Sequence, residues 1–416
     1  MAFGGEDERR RPYSAAGAGT VRVLIYSHDT FGLGHLRRCR AIANALVAER
    51  PGVSVLIISG SPVIGSFEFG RGVDYVRIPG VTKQPDGGYR SLNLNVPIEE
   101  AVRLREALIL QTAEIFRPDI LIVDKEPTGF RGEIMPALEM LRARGCRTVL
   151  GVRDVLDEPA LLVPEWERKG ATETLARLYD EIWIYGLPEV YRPLDCLSLP
   201  GRVKRRATYT GYLRREVPST SSMTSYPKIT RQPFVLVTTG GGGDGEDVID
   251  WVISAYEADP AIELPALVVF GPFINRDRRR GFMERVARHP KLAAISFDTK
   301  LEILMRKAAG VVAMGGYNTF CEILSIDKPA LVVPRTRPRR EQLIRAVEAE
   351  RLGLVRALVE GEGGRDPHVM AAALRTLPEQ KKPSDVVVPG LLDGLDVIRT
   401  RFASALDGLP GLQAAE

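Results

Sequence analysis

Two stretches of this 416-residue chain begin in the same way, with an apolar run, a glycine-rich turn and then a helical pattern. The first is Val21–Ser27, followed by Gly32, Gly34 and a helix over 36–50. The second is Phe234–Thr238, followed by four consecutive glycines (Gly240, Gly241, Gly242 and Gly243) and a helix over 246–256. After each start, short apolar runs alternate with longer segments of helical period, which is the signature of a parallel sheet wrapped by helices. The chain is too long for one core, so the restart marks a second domain. The expected fold class is α/β, with two doubly wound Rossmann-type domains facing across a cleft and ligands at the carboxyl ends of the strands.

The boundaries follow from composition. Residues 1–20 are polar and rich in glycine and arginine, and they read as a disordered tail without the apolar stretch of a signal peptide. Residues 21–213 form the first domain. Residues 214–233 contain an aperiodic Pro218-to-Pro227 segment and read as a linker. Residues 234–388 form the second domain. Residues 389–416 carry a final helix expected to pack back on the first domain. The formal net charge of +4 is mild; it suits an anionic ligand or a membrane surface and gives no reason to invoke nucleic acid. Four scattered cysteines, with no Cys-x-x-Cys pair, fit a reducing cytoplasm and no zinc site. No apolar run is long enough to span a membrane.

Three segments carry chemistry. In Ser27-His-Asp-Thr-Phe-Gly-Leu-Gly-His-Leu-Arg-Arg, the glycines Gly32 and Gly34 let a ligand approach the backbone, and His35 stands at a helix N-terminus. The helix dipole there disfavours imidazolium, so His35 is the expected general base. His28 and Asp29 either orient it or hydrogen-bond the turn. Arg37 and Arg38 either reach an anion or are solvated. The second segment, Gly240 to Gly243, offers bare backbone N–H groups to a phosphate. In the third, the strand ending at Met314 runs through Gly315 and Gly316 into a helix, with Asn318 or Thr319 placed to cap it and Glu322 placed to bind a ribose diol. Arg335, Glu341 and Gln342 follow, and are expected to contact the donor. The run Arg335, Arg337, Arg339, Arg340 equally suits a membrane-facing patch. Asp124, Glu126 and Asp154 end strands of the first domain and by position line the acceptor side. The folded halves contain no Asp-x-Asp motif, so no metal is expected, and the charge of a leaving diphosphate falls to helix ends, N–H groups and arginine.

These residues resemble the GT-B superfamily of nucleotide-sugar glycosyltransferases, in particular the group related to the N-acetylglucosaminyltransferase of peptidoglycan synthesis. Gly32-Leu-Gly34-His35 is similar to that family's base and acceptor loop. Gly240 to Gly243 match its diphosphate loop in place, with glycine where the family has serine. Gly316-Tyr-Asn-Thr319-Phe-Cys-Glu322 matches the helix whose glutamate binds ribose. A later Gln-Gln-x-x-x-Asn-Ala reads here as Glu341-Gln342-Leu-Ile-Arg345-Ala. The resemblance implies an inverting, metal-independent hexosyltransferase with a UDP-linked sugar donor and no cofactor. It further implies a glycan, lipid-linked or small-molecule acceptor, a role in cell-envelope or polysaccharide synthesis, and a cytoplasmic or inner-membrane-face location. Gly34-His35-Leu-Arg37-Arg38-Cys also resembles nucleotide-sugar hydrolases of nonulosonate synthesis, so hydrolysis by the same histidine is the alternative. A non-catalytic nucleotide-sugar binding module is a third reading.

Overall fold

The computed structural model describes residues 20–28, 34–84, 88–217, 226–240, 245–271, 274–298, 300–361 and 364–407. The first domain runs β1 (Val21–Ser27), α1 (Gly34–Glu49), β2 (Val53–Ser59), β3 (Val73–Arg77), β4 (Val81–Lys83), β5 (Tyr89–Ser91), α2 (Ile98–Phe116), β6 (Ile120–Asp124), α3 (Met135–Ala143), β7 (Arg147–Arg153), α4 (Pro159–Arg168), α5 (Ala171–Leu178), β8 (Glu181–Tyr185), α6 (Gly201–Lys204) and β9 (Ala207–Tyr209). The second runs β10 (Val235–Thr238), α7 (Glu246–Ala258), β11 (Ala266–Val269), α8 (Arg276–Arg288), β12 (Leu292–Ile295), α9 (Leu301–Lys307), β13 (Gly310–Ala313), α10 (Tyr317–Ile326), β14 (Ala330–Val332), α11 (Glu341–Arg351), β15 (Arg356–Ala357) and α12 (Pro367–Thr376). A last helix, α13 (Gly394–Asp407), follows.

The two sheets share one topology. The first is ordered β3-β2-β1-β6-β7-β8-β9 and the second β12-β11-β10-β13-β14-β15, with every pairing parallel. The central strands β6, β10 and β13 are buried at every residue, so their sequences are near-continuous apolar runs with no alternation. In both sheets the winding direction reverses beside the first strand, between β1 and β6 and between β10 and β13. A crevice opens at each such switch point. The short antiparallel pair β4–β5 stands apart from the main sheet; strands of three residues give no readable period.

Helix α1 shows how the sheet is covered. Leu36, Cys39, Ile42, Ala43 and Leu46 recur at helical spacing and are buried. Arg38 lies on the same stripe at 1% exposure. A guanidinium in that position must have a carboxylate partner, and that requirement leads to the site described below.

The domains meet through an apolar cluster that runs across both. Tyr212 packs edge-on against Phe320, with centroids 5.1 Å apart, and beside Tyr317 at 6.0 Å. The chain crosses between domains after Leu213 and returns near Gly390. The two crossings lie side by side: Tyr212 N–H donates to Leu391 O at 2.8 Å, and Leu213 bridges Asp393 in antiparallel fashion. Helix α13 then packs on α1, and Arg401 Nη2 stands 2.8 Å from Glu181 of β8. Among the described residues no helix is long and apolar enough to cross a membrane.

Candidate active site

The first switch point brings β1, α1 and β6 together. His35 Nδ1 lies 2.5 Å from Asp124 Oδ2. Arg38 clamps the same carboxylate, Nε to Oδ1 and Nη2 to Oδ2, both at 2.8 Å. A nitrogen that close to a carboxylate oxygen carries the proton, so Nδ1 is the donor and Nε2 holds the free lone pair. Arg38 Nη2, 3.0 Å from His35 Nδ1, is then only a neighbour, because two donors cannot bond. Burial lowers the imidazole to about 4, with Arg38 and Lys125 acting in the same direction and Asp124 opposing. The ring is therefore neutral at ordinary pH and remains a base. Asp124 is held far below the usual carboxylate range by Arg38 and His35, against the effect of its own burial. By position Asp124 was expected on the acceptor side; the structure makes it the partner that orients His35. The signal was topological, since this strand order seats β6 beside β1. Asp29 and Gly32 lie outside the described residues. His28 does not reach the His35 ring by hydrogen bond, and its ring stands edge-on at 5.7 Å.

The second switch point faces the first. Gly240 (φ 76°) lies two residues beyond the end of β10, and a Cβ built there would approach Thr319 Oγ1 at 4.0 Å. Gly315 (φ 74°) turns the chain out of β13, and a Cβ there would meet Val332 Cγ1 at 2.6 Å. Only glycine fits that turn. Gly316, not Asn318 or Thr319, is the N-cap of α10, because the helix begins at Tyr317. The first N–H groups of α10 thus open beside Gly240 with no intrahelical acceptor and with the positive end of the helix dipole behind them. Gly241, Gly242 and Gly243 lie outside the described residues.

Several expected ligand contacts are committed elsewhere. Asn318 joins the domains: its Nδ2 donates to Gly34 O at 2.9 Å, and its Oδ1 accepts from Arg215 at 2.7 Å. Glu322 is not open to a ribose. It lies in the second turn of α10 at 0% exposure, with Arg37 Nη2 2.7 Å from Oε1. Neither oxygen has a well-directed hydrogen bond, so the contact is an ion pair of poor angle. Arg37 also holds Glu302 at 2.5 Å, and burial raises the Glu322 carboxyl above its ordinary value.

Asp154 does not line an acceptor cleft either. Arg345 reaches across the interface and grips it with two hydrogen bonds of 2.7 and 2.6 Å, and Tyr212 donates a third at 2.9 Å. Arg345 also donates to Gly315 O at 2.9 Å. Arg335 pairs with Glu341 at 2.5 Å, and its N–H donates to Gln342 Oε1 at 3.0 Å. Arg339 pairs with Asp157 and Glu165, and Arg340 with Glu158, so these two arginines of the run fasten the domains together. Glu126 remains at a cavity wall, where Lys169 donates to it at 2.9 Å. Arg153 was not foreseen. It ends β7 within electrostatic reach of Glu341 and Arg38, and among the described residues its buried Nε has no hydrogen-bond partner.

The architecture has counterparts of known structure. CalG4, the calicheamicin glycosyltransferase, superposes with a TM-score of 0.59 at 13% identity, covering 94% of this chain and 99% of that one. Phytolacca americana UGT2, complexed with UDP-2-fluoro-glucose and pterostilbene, gives 0.57 at 14% identity over 95% and 97%. A putative UDP-N-acetylglucosamine 2-epimerase from Listeria monocytogenes gives 0.59 at 12% identity over 93% and 96%. No curated protein shows a significant sequence match. The fold, two Rossmann-type domains with paired switch points, is the GT-B architecture. More narrowly, residues 235–382 match the glycosyltransferase family 28 C-terminal domain.

Proposed function

We propose that this protein transfers a sugar from a nucleoside-diphosphate donor, UDP-linked, to an acceptor hydroxyl by a single inverting displacement that needs neither metal nor cofactor. The observation that carries the reading is the His35–Asp124 pair at one switch point, opposed by the Gly240/Thr319 cradle at the other. In the step, His35 Nε2 removes the acceptor hydroxyl proton. The acceptor oxygen bonds to the anomeric carbon from the face opposite the leaving group, and the C–O bond to the diphosphate breaks with its electron pair. Asp124 stabilises the imidazolium that forms. The N-terminus of α10 and Arg153 meet the charge gathering on the diphosphate. Glu322 reaches a ribose only when Arg37 withdraws, which couples donor entry to separation of the domains. The cell-envelope or polysaccharide role belongs to the same proposal.

The test is turnover of purified protein with UDP-sugars and a hydroxyl acceptor panel. His35→Ala is expected to abolish transfer while UDP affinity stays within about twofold. NMR of the product should show an inverted anomer, and EDTA should leave the rate unchanged. A retained anomer, or full activity in His35→Ala, overturns the mechanism. Stoichiometric sugar release from donor alone would favour hydrolysis.

A further inference from the structure

Next to the dyad lies a cavity of about 490 Å³, walled by the first domain from His28 and Lys125 onward and closed on one side by Arg339 of the second. That volume is typical of a small-molecule site. Among the described residues, its walls carry four cations, Lys125, Arg131, Lys169 and Arg339, against two carboxylates, Glu126 and Glu165. Both carboxylates are already occupied. Glu126, held down at about 2, takes Lys169 at 2.9 Å, and Glu165 takes Lys169 at 2.5 Å and Arg339 at 2.7 Å. Arg131 is taken by Glu99 at 3.2 Å and Arg339 also by Asp157 at 2.8 Å, so the cation without a close carboxylate is Lys125.

Lys125 is the least satisfied of the four. Among the described residues its ion-pair partner is Glu126, with Oε1 3.6 Å away. Burial, together with Arg153, Arg339 and Lys169, depresses its amine. Its backbone sits at φ 73°, a left-handed conformation that strains a non-glycine residue and clusters at ligand sites. His28 provides an independent sign. It is only 6% exposed and lines the cavity, and its Nδ1 has no partner among the described residues. On another wall Tyr89 and Phe130 meet edge-on at 4.9 Å, forming an aromatic surface beside the cations.

We propose that this cavity seats an acceptor carrying an oxyanion, a carboxylate or a phosphate, on a flat apolar body. The anion rests on Lys125 with His28 and Lys169 beside it, the body lies against Tyr89 and Phe130, and the acceptor hydroxyl points to His35. The assignment rests on the transferase reading for the role of the cavity as an acceptor site, although its charge preference can be measured without a donor.

Calorimetry on the full chain tests it with a panel of hydroxyaryl carboxylates, each paired with its methyl ester, and hydroxyaryl phosphates, each paired with its neutral dimethyl ester. At least one acid series should bind more tightly than its esters by about tenfold or more, the worth of one charge-assisted hydrogen bond. Which series wins identifies the oxyanion. Lys125→Asn should erase the preference, because asparagine tolerates the left-handed backbone; Lys169→Gln, which leaves that backbone untouched, should reduce it. Esters equal to acids, no acid bound at all, or a preference that survives both variants would overturn the assignment. UDP-sugar titrations separate the two readings. Acid preference without donor binding removes the transferase and leaves the cavity; donor binding with equal transfer to esters does the reverse.

Discussion

At the scale of the residue, the decisive fact is that His35 is buried beside a carboxylate and a guanidinium at once. Desolvation outweighs Asp124, so the imidazole titrates near 4, not 6.5. The base is active when neutral, so lowering the pH costs activity only on approaching 4. A pH–rate profile should therefore stay flat through pH 6.5; an acidic limb centred there would count against His35 as the base. Asp124→Asn keeps the shape but loses the tautomer, and is expected to lower kcat by about 10²–10⁴ with UDP affinity unchanged. Because Asp124 raises the imidazole, the acidic limb should also move lower in that variant. The histidine was legible in the sequence from its place after Gly34. Its partner was not, because Asp124 lies 89 residues away and only strand order brings the two together. Arg38 left both options open, since helical spacing alone does not distinguish a charge turned to solvent from one needed inside.

At the scale of the element, glycine placement was the most readable feature, and it predicted three strand-to-helix junctions that the structure contains, β1 to α1, β10 to α7 and β13 to α10. The helix start was misplaced by the habit of seeking a polar cap; backbone turned by Gly315 makes Gly316 the cap instead. The two glycines should behave differently. Gly315→Ala forces a side chain into positive φ and onto Val332, and is expected to destabilise by about 2 kcal/mol or more, seen in thermal unfolding. Gly316 has φ −56°, and a Cβ there meets nothing within 4 Å, so Gly316→Ala should leave the melting temperature alone. If that open space belongs to the diphosphate, the same variant should weaken UDP binding by about tenfold. Unchanged affinity would argue against the cradle. The pair β4–β5 and the broken helix α4–α5 escaped the sequence because short elements carry too few residues to show a period.

At the scale of the whole molecule, sequence pattern conveyed two doubly wound domains but not how they are fastened. Arg345 finds Asp154 on the other domain; Arg37, Arg339 and Arg340 do likewise with acids far away in the chain. Long-range pairing of this kind leaves no trace in spacing. Arg345→Ala strands a buried carboxylate and should cost about 3–5 kcal/mol, measured by denaturant unfolding, whereas Arg345→Met combined with Asp154→Leu should recover much of the loss. If the single and double variants unfold alike, the ion pair is not what holds this seam. The adjacent crossings near Leu213 and Asp393 have a mechanical consequence. Two chain passages pinned to each other should act as one pivot, so that any opening is a swing like that of a hinged jaw, with sliding and independent twist resisted. Each time the jaw shuts, His35 and the tip of α10 return to the same alignment.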